Sequence, residues 1–316
     1  MGARGGVGHA FSVFGLGTVL GACEIVAPID AVNTGDASEP PMGCDLLDPS
    51  KVSTASAETG GASWRVALVR LAGSSECIYM DKTEVTVAAY QAWASGNAAF
   101  TDWHSWCAAW KPSGPSNPSV MVADECAAAI PPSQVEPFAV DKPIRCVDWC
   151  DAEAFCRAAR GGHLCYRGAV GGSQQPENRR DEWPSACSNG GTTVWPWGDE
   201  MDPTRCNLDQ TRRGCGNLGF SCGPEPVQNL PACVDQDGIF DLLGNVQEWL
   251  GVCNAIDVAT ADSPCTAAGG GYDDSLATIG CVPRGPGFPK STRRPDLGFR
   301  CCYDLTPAER QTAGLP

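Results

Sequence analysis

Nineteen cysteines in a chain of 316 residues constrain its fold more than any other feature of the sequence. Cytosolic proteins keep their few thiols reduced, whereas proteins that fold in oxidising compartments use paired cysteines as covalent struts. The cysteines are spread over nearly the whole chain, and they form no pair of the C-x-x-C motifs that are typical of structural zinc sites. The count and the spacing therefore predict a disulfide-stapled domain that folds outside the cytoplasm.

The N-terminus has the pattern of an export signal. Arg4 is the only charged residue before Glu24, and it is followed by a small and apolar run over residues 10–22 that is too short to span a membrane. The run ends in Leu-Gly-Ala directly before Cys23, which resembles a bacterial lipobox. We therefore expect Cys23 to be lipidated and to anchor the mature chain to a membrane. An ordinary signal peptide followed by a coincidental cysteine is the alternative.

Composition divides the chain into four parts. Residues 1–22 form the signal peptide, 23–63 a flexible, lipid-anchored tether rich in small residues, 64–304 the folded domain and 305–316 a loose tail. Removing Cys23 from the nineteen cysteines leaves eighteen, which is enough for nine bridges. Cys44 lies within the tether, so part of that segment is expected to be tied to the domain.

Charge and residue usage limit the class of protein. The net charge of −15 repels phosphate backbones and argues against a nucleic-acid partner. Glycine (37 residues) and proline (25 residues) are both plentiful, and this predicts many turns and few long helices. No apolar run of about 20 residues follows the signal, so we expect no further membrane span.

Three elements can be placed from local patterns. Alternating side chains predict a strand over residues 64–71. Thr86 is expected to cap a helix over residues 87–94, and Asp148 a second helix over residues 149–160 that a Gly-Gly pair ends. Apolar residues recur at helical spacing in both segments, and ordinary packing explains them.

Two histidines, His104 and His163, remain once the signal is removed. A Ser-His-Asp or Cys-His system needs a histidine beside a nucleophile, and neither residue lies in a motif such as G-x-S-x-G. A non-haem iron site would need both histidines and a carboxylate. We therefore expect each histidine to be a surface or partly buried side chain.

Two carboxylates, Asp241 and Glu248, flank a Gly244-Asn245 turn. Such a turn can bring carboxylate and backbone carbonyl oxygens toward one point, and hard oxygen ligands suit calcium. Acidic residues near turns are also common without any metal, and that is the alternative interpretation.

Seven sequence blocks, in order, resemble one known family. Residues 238–249 are similar to the signature G-L-Y-D-M-x-G-N-V-W-E-W of the formylglycine-generating enzyme, or sulfatase-modifying factor, family. Six further blocks resemble that family's motifs: 80–86 with Tyr90, 147–156, 181–191, 195–198, 269–272 and 297–300. The resemblance covers about residues 78–302. It implies a single compact α+β domain, related to C-type lectins, with unusually little regular secondary structure.

The resemblance also implies calcium. Carried over by position, one site would use the side chains of Asp241 and Glu248 with the carbonyl oxygens of Gly244 and Val246. A second family site begins at Asn207 and Leu208. Its later acidic ligand falls near Leu218, where this chain has no carboxylate.

The catalytic residues of the family are replaced in this chain. The family's oxidase holds Cu(I) between two cysteine thiolates, and the matching positions here are Asp274 and Ile279. A carboxylate is a hard oxygen donor and a poor ligand for Cu(I). Cys281 is close to these positions, but one cysteine does not supply the pair of thiolates that Cu(I) needs. We expect Cys281 to be bridged. Copper-dependent oxidase activity is therefore not expected.

These observations predict a binding or scaffold module in the cell envelope or on the outer surface. Its groove is expected to carry Tyr272, Asp273 and Asp274 with a tryptophan at the mouth, Arg300 is a further groove candidate, and its partner would be a protein, a peptide or a glycan. Two alternatives stay open. One is a divergent oxidase acting on an exported protein or a small molecule, and the other is a purely structural envelope protein.

Overall fold

Two four-stranded sheets and four short α-helices make up the regular structure of the residues that the computed structural model describes. These residues are 43–52, 65–95, 107, 126, 140–159, 161–165, 182–208, 223–253, 264–274, 279–282 and 287–315. All of them lie in one compact unit, Pro41–Pro316. The mixture of short strands and helices confirms the predicted α+β class with little regular secondary structure.

The strands and helices are short throughout. In chain order they are β1 (Val66–Arg70), β2 (Cys77–Asp81), α1 (Val87–Ser95), α2 (Trp149–Ala154), β3 (His163–Leu164), α3 (Glu182–Cys187), β4 (Gln247–Cys253), β5 (Pro264–Ala268), β6 (Phe288–Pro289), β7 (Leu297–Gly298), β8 (Cys301–Tyr303) and α4 (Pro307–Thr312). Two 3₁₀ turns, Gly43–Leu46 and Pro49–Lys51, precede them.

Each sheet joins strands that are distant in sequence. The first sheet has the order β1-β2-β8-β3, and the second has the order β6-β5-β4-β7. The predicted strand at 64–71 is β1, which pairs antiparallel with β2 from Val66 opposite Asp81 to Arg70 opposite Cys77. In the second sheet β7 runs parallel to β4, with Glu248 opposite Gly298. This pairing places the segment 297–298 beside the strand that follows the Gly-Asn turn.

Both predicted helices are present with their predicted caps. The Oγ1 of Thr86 accepts a hydrogen bond from the backbone N–H of Ala89 at 3.3 Å, and α1 follows. The side chain of Asp148 accepts from the backbone N–H of Asp151 at 3.1 Å, and α2 follows. The second segment differs from one continuous helix, because a π-helical turn, Phe155–Ala159, replaces its later part.

The C-terminus is ordered, so the prediction of a loose tail at 305–316 is wrong for residues 305–315. Thr306 and Glu309 form a reciprocal capping box at the start of α4. The Tyr79 hydroxyl of β2 donates to Glu309 Oε1 at 3.1 Å, and Leu305 and Ala313 are buried. The T-x-x-E pattern that signals such a cap is visible in the sequence.

Eight disulfides join the described cysteines. The pairs are Cys44–Cys77, Cys107–Cys150, Cys126–Cys146, Cys156–Cys301, Cys165–Cys302, Cys187–Cys281, Cys206–Cys233 and Cys253–Cys265. Cys23, Cys215 and Cys222 lie outside the described residues. Bridges in this number are typical of exported or extracellular proteins. The first pair ties the segment around Cys44, which the sequence assigns to the tether, to β2.

Among the described residues, we find no helix with the length and the apolar character needed to cross a membrane.

Candidate functional site

Arg300 is a buried structural cation. Its side chain has no exposed surface, and its Nε and Nη2 donate to the two carboxylate oxygens of Glu248 at 2.7 and 2.6 Å. Its Nη1 and Nη2 also donate to the carbonyl oxygens of Asp81 and Phe240 at 3.2 and 2.9 Å. The prediction that Arg300 is a groove residue is therefore wrong, because the guanidinium donates all of these hydrogen bonds inside the core.

Buried carboxylates outnumber cations around Arg300. Glu84, Asp241 and Glu248 are each at most 3% exposed. Burial and the charge of Asp241 raise the pKa of Glu84 well above its usual value, and burial also raises the pKa of Asp241. Asn245 Nδ2 donates to Glu84 Oε1 at 3.0 Å, whereas Glu84 Oε2 is buried with no hydrogen-bond partner among the described residues. We call Glu84, Asp241, Glu248 and Arg300 the buried acidic cluster.

The predicted calcium ligands lie in and beside this cluster. Asp241 begins the turn with a φ of +58°, and its Oδ2 accepts from the backbone N–H of Gln228 at 2.9 Å. Both oxygens of Glu248 are held by Arg300, and Trp183 Nε1 donates to one of them at 2.8 Å. No three Asp, Glu, His or Cys side chains of the described residues are placed to hold a metal together. Asp241, with the carbonyls of Gly244 and Val246, would therefore have to supply the oxygens for a cation that offsets the excess negative charge.

The two predicted calcium segments meet each other. Asn207 Nδ2 donates to Asn245 Oδ1 at 3.2 Å, and the Asn245 N–H donates to the Asn207 carbonyl at 2.9 Å. A Cβ on Gly244, whose φ is +79°, would lie 2.4 Å from that same carbonyl, so only glycine fits there. Leu208 packs beside this glycine, and Leu218 lies outside the described residues. The side chain of Asn207 therefore links two turns.

No thiol is present at the positions that match the family's copper ligands. Asp274 Oδ2 accepts from the backbone N–H of Gly271 at 2.8 Å and closes a turn. Ile279 is 2% exposed and packs against Gly270, where a Cβ would lie 2.3 Å from its Cγ2. The prediction that Cys281 is bridged is confirmed, and its partner is Cys187.

An acidic surface borders the turn at Asp274. Asp273 is exposed as a residue, but partial burial of its carboxyl group, together with the charges of Asp296 and Asp274, raises its pKa. Arg294 donates from Nε to Asp296 Oδ1 at 2.7 Å, and its guanidinium lies 5.1 Å from the ring centroid of Phe288. Arg294 and Asp296 were not predicted from the sequence, although their R-R-P-D run lies directly before the G-F-R block.

Tyr272, the remaining predicted groove residue, is 9% exposed, and its backbone N–H donates to the carbonyl of Asn245 at 3.0 Å. Asp273 and Asp274 are therefore the two predicted groove residues that present the most side-chain surface to solvent. His104 lies outside the described residues.

His163 forms a half-buried ion pair. Its Nε2 lies 3.0 Å from both carboxylate oxygens of Glu182, which is fully buried. Burial alone would lower the pKa of His163, but the carboxylate of Glu182 outweighs it, and the net pKa is raised. Because His163 pairs with Cys302 in the first sheet, this ion pair connects α3 to the sheet.

Because the pKa of His163 is raised, we predict that the stability contributed by the His163–Glu182 pair falls as pH rises. A histidine whose folded pKa is raised contributes its full stabilisation below the unfolded value of about 6.5 and loses it as pH rises through the folded pKa. We expect the parent's free energy of unfolding to fall by up to about 1 kcal/mol more than that of His163→Gln between about pH 6 and pH 9. Urea denaturation at several pH values measures this difference, and parallel pH profiles would contradict it.

Comparison with known proteins identifies the family. Residues 74–305 match the sulfatase-modifying factor enzyme 1-like domain. The matched residues are more than half of the chain. The chain is 32% identical over 168 residues to "inactive C-alpha-formylglycine-generating enzyme 2" of Bos taurus, covering 50% of this chain and 49% of that protein. It is 34% identical over 114 residues to the protein of the same name from Mus musculus, covering 35% of this chain and 32% of that one. The chain thus spans about half or less of the length of the curated relatives it matches.

Solved structures are similar at low identity. CarF matches with 19% identity and a TM-score of 0.45, covering 76% of this chain and 93% of that one. PvdO from Pseudomonas aeruginosa matches with 17% identity and a TM-score of 0.47, covering 74% and 83%. Both likenesses are weak, and the family assignment rests on the domain match. The chain belongs to the sulfatase-modifying factor family.

Proposed function

We propose that this protein is an exported, calcium-stabilised binding or scaffold module without copper oxidase activity. The observation that carries the proposal is the disulfide between Cys281 and Cys187, beside Asp274 and Ile279 at the positions of the copper ligands. A disulfide-bonded sulfur cannot act as a thiolate ligand to Cu(I), and neither a carboxylate nor an alkyl side chain replaces it. The two curated relatives, which are named as inactive enzymes, support the same interpretation.

The exposed surface at Asp273 and Asp274 is the proposed binding face. Asp273 presents an exposed carboxylate, and Arg294 adds a guanidinium that is already aligned by Asp296. Charges of both signs on one face suit a protein, peptide or glycan ligand with polar groups. Attachment to a membrane through lipidated Cys23 would display this face at the cell envelope or the outer surface. The mass of the N-terminal peptide tests that anchor, because acyl chains add a fixed mass to Cys23.

An oxygen-uptake assay tests the absence of oxidase activity. The oxidised protein is titrated with Cu(I) and mixed with a cysteine-containing peptide, and oxygen consumption is recorded beside a copper-loaded oxidase of the family. We expect uptake no faster than in buffer that contains the same copper. Catalytic turnover of the peptide would overturn the proposal and favour the alternative, a divergent oxidase acting on an exported protein or a small molecule.

Calcium is expected to raise the melting temperature. A ligand that binds only the folded state adds about 2.7 kcal/mol of stability at 100 times its Kd. Chelation should therefore lower the melting temperature of the parent, and it should leave that of Asp241→Asn nearly unchanged. Asp273→Asn is the matched control, because it removes an exposed carboxylate outside the buried acidic cluster and should respond to chelator as the parent does. If the parent melts identically with calcium and with chelator, calcium has no part in this fold.

A further inference from the structure

Outside the proposed binding face, two stacked tryptophans, Trp195 and Trp197, lie in a tight turn that several hydrogen bonds hold. The backbone N–H of Trp195 donates to the Gly198 carbonyl at 2.9 Å, and the N–H of Gly198 donates back at 3.1 Å. The rings of Trp195 and Trp197 are stacked, with centroids 6.2 Å apart and planes at 9°. Asn189 Nδ2 donates to the Pro196 carbonyl at 3.0 Å, and Trp197 Nε1 donates to the Glu200 carbonyl at 2.9 Å. The rings are therefore held in place before any ligand arrives.

Trp197 forms a wall of an open cleft of about 450 Å³ whose other walls include Asp199, Glu200, Asp202 and Arg205. Neither tryptophan is fully buried, and Asp199 and Glu200 are exposed. Exposed apolar side chains border the same region, because Val194 is 58% and Met201 is 45% exposed. Aromatic, apolar and acidic groups thus meet on one surface.

An arginine of the chain itself, Arg205, already lies in this cleft. The guanidinium carbon of Arg205 lies 5.7 Å from the ring centroid of Trp197, and its Nε lies 3.4 Å from Asp202 Oδ2. The aromatic face thus already receives a cation that a carboxylate orients. Three carboxylates (Asp199, Glu200, Asp202) against one guanidinium leave a local charge of −2. Asp199 and Glu200 both line the cleft, and Asp199 Oδ1 accepts from the backbone N–H of Val194 at 3.1 Å.

We propose that this cleft binds an arginine or lysine side chain of a basic protein or peptide partner. The ligand's guanidinium or ammonium group would pair with the carboxylates of Asp199 and Glu200, and its methylene stem would pack against the tryptophan pair. Charge complementarity favours a basic partner over a neutral glycan, because a sugar has no charge to attract it to the negatively charged cleft. The inference does not depend on the binding face at Asp273, so either can fail without the other.

Peptide binding to the oxidised full chain tests the proposal. The probe is a hexa-arginine peptide, and its matched control is the hexa-citrulline peptide, which keeps the shape and loses the charge. Calorimetry at physiological salt measures both. We expect the arginine peptide to bind at least about tenfold more tightly than the citrulline peptide, because only the charged side chain can pair with the two carboxylates.

Variants locate the binding on the chain. Trp197→Leu removes an aromatic surface for the ligand's stem, and the double variant Asp199→Asn/Glu200→Gln removes both charge partners, so each should weaken hexa-arginine binding about tenfold. The double variant Asp45→Asn/Asp304→Asn removes the same charge from exposed positions away from the cleft and should bind as the parent does. The second cleft variant keeps the test valid if Trp197→Leu fails to fold. Equal weakening in the control variant would show general attraction to an acidic surface and overturn the proposal. Absence of binding, or preferential binding of a neutral oligosaccharide such as xylohexaose, would overturn it as well.

Discussion

Reduction of the native protein is expected to unfold the domain at temperatures at which the oxidised protein stays folded. Eight bridges join the described residues, and each contributes about 2–4 kcal/mol in simple cases. These contributions do not add linearly, but together they exceed the net stability of about 5–15 kcal/mol that is usual for a domain. Circular dichroism melts with and without reductant measure the effect. An unchanged melting temperature, with the thiols verified as reduced, would contradict it.

Two of the bridges provide a matched comparison. Cys44–Cys77 closes a loop of 33 residues and Cys253–Cys265 closes a loop of 12 residues, and no other bridge between described cysteines shortens either loop. The chain-entropy model assigns about 4 kcal/mol to the first bridge and about 3 kcal/mol to the second. Replacing both cysteines of each pair by alanine should therefore cost more stability for the long loop. Equal losses would mean that the bridges do not act mainly through the unfolded chain.

Replacing Glu248 by glutamine is expected to cost about 3–5 kcal/mol of stability, because the change leaves a buried guanidinium without its carboxylate. Arg300 donates to both oxygens of Glu248, and Trp183 Nε1 donates to one of them, so the variant also weakens a charge-assisted hydrogen bond. Denaturant unfolding of the oxidised protein measures the loss.

Asp45→Asn is the matched control for that variant. The ion pair of Asp45 with Arg70 is more than half exposed on both sides, and exposed pairs contribute about 0–1 kcal/mol. We expect Glu248→Gln to unfold at a clearly lower denaturant concentration than Asp45→Asn. Similar midpoints for the two variants would contradict the role of Arg300 as the central cation of the core.

Local signals in the sequence predict local structure well here. Thr86 and Asp148 cap the helices that follow them, because a side-chain oxygen two or three residues before a free N–H can act without the rest of the fold. The seven ordered blocks were sufficient for the fold class. The helix at Pro307–Thr312 has an equally local cap at Thr306, and the prediction of a loose tail overlooked it.

Contacts between distant residues could not be predicted in the same way. Arg300 is separated from Glu248 by 52 residues, and nothing in either local sequence tells whether the guanidinium points into the core or out to a groove. The same holds for Cys187 and Cys281, which are 94 residues apart. Eighteen cysteines allow a very large number of pairings, and only the three-dimensional arrangement of the strands selects one of them. The replacement of the copper ligands by Asp274 and Ile279, by contrast, is visible from the sequence alone.

Mapping of the disulfides in the unreduced protein tests the central claim most directly. That claim is that the sulfur nearest to the family's copper site is a covalent strut. Alkylation without reduction, followed by digestion and mass spectrometry, should recover a linked peptide that contains Cys187 and Cys281, with no alkylated Cys281. Recovery of Cys281 mainly in its alkylated form would show a free thiol beside Asp274 and would contradict the account.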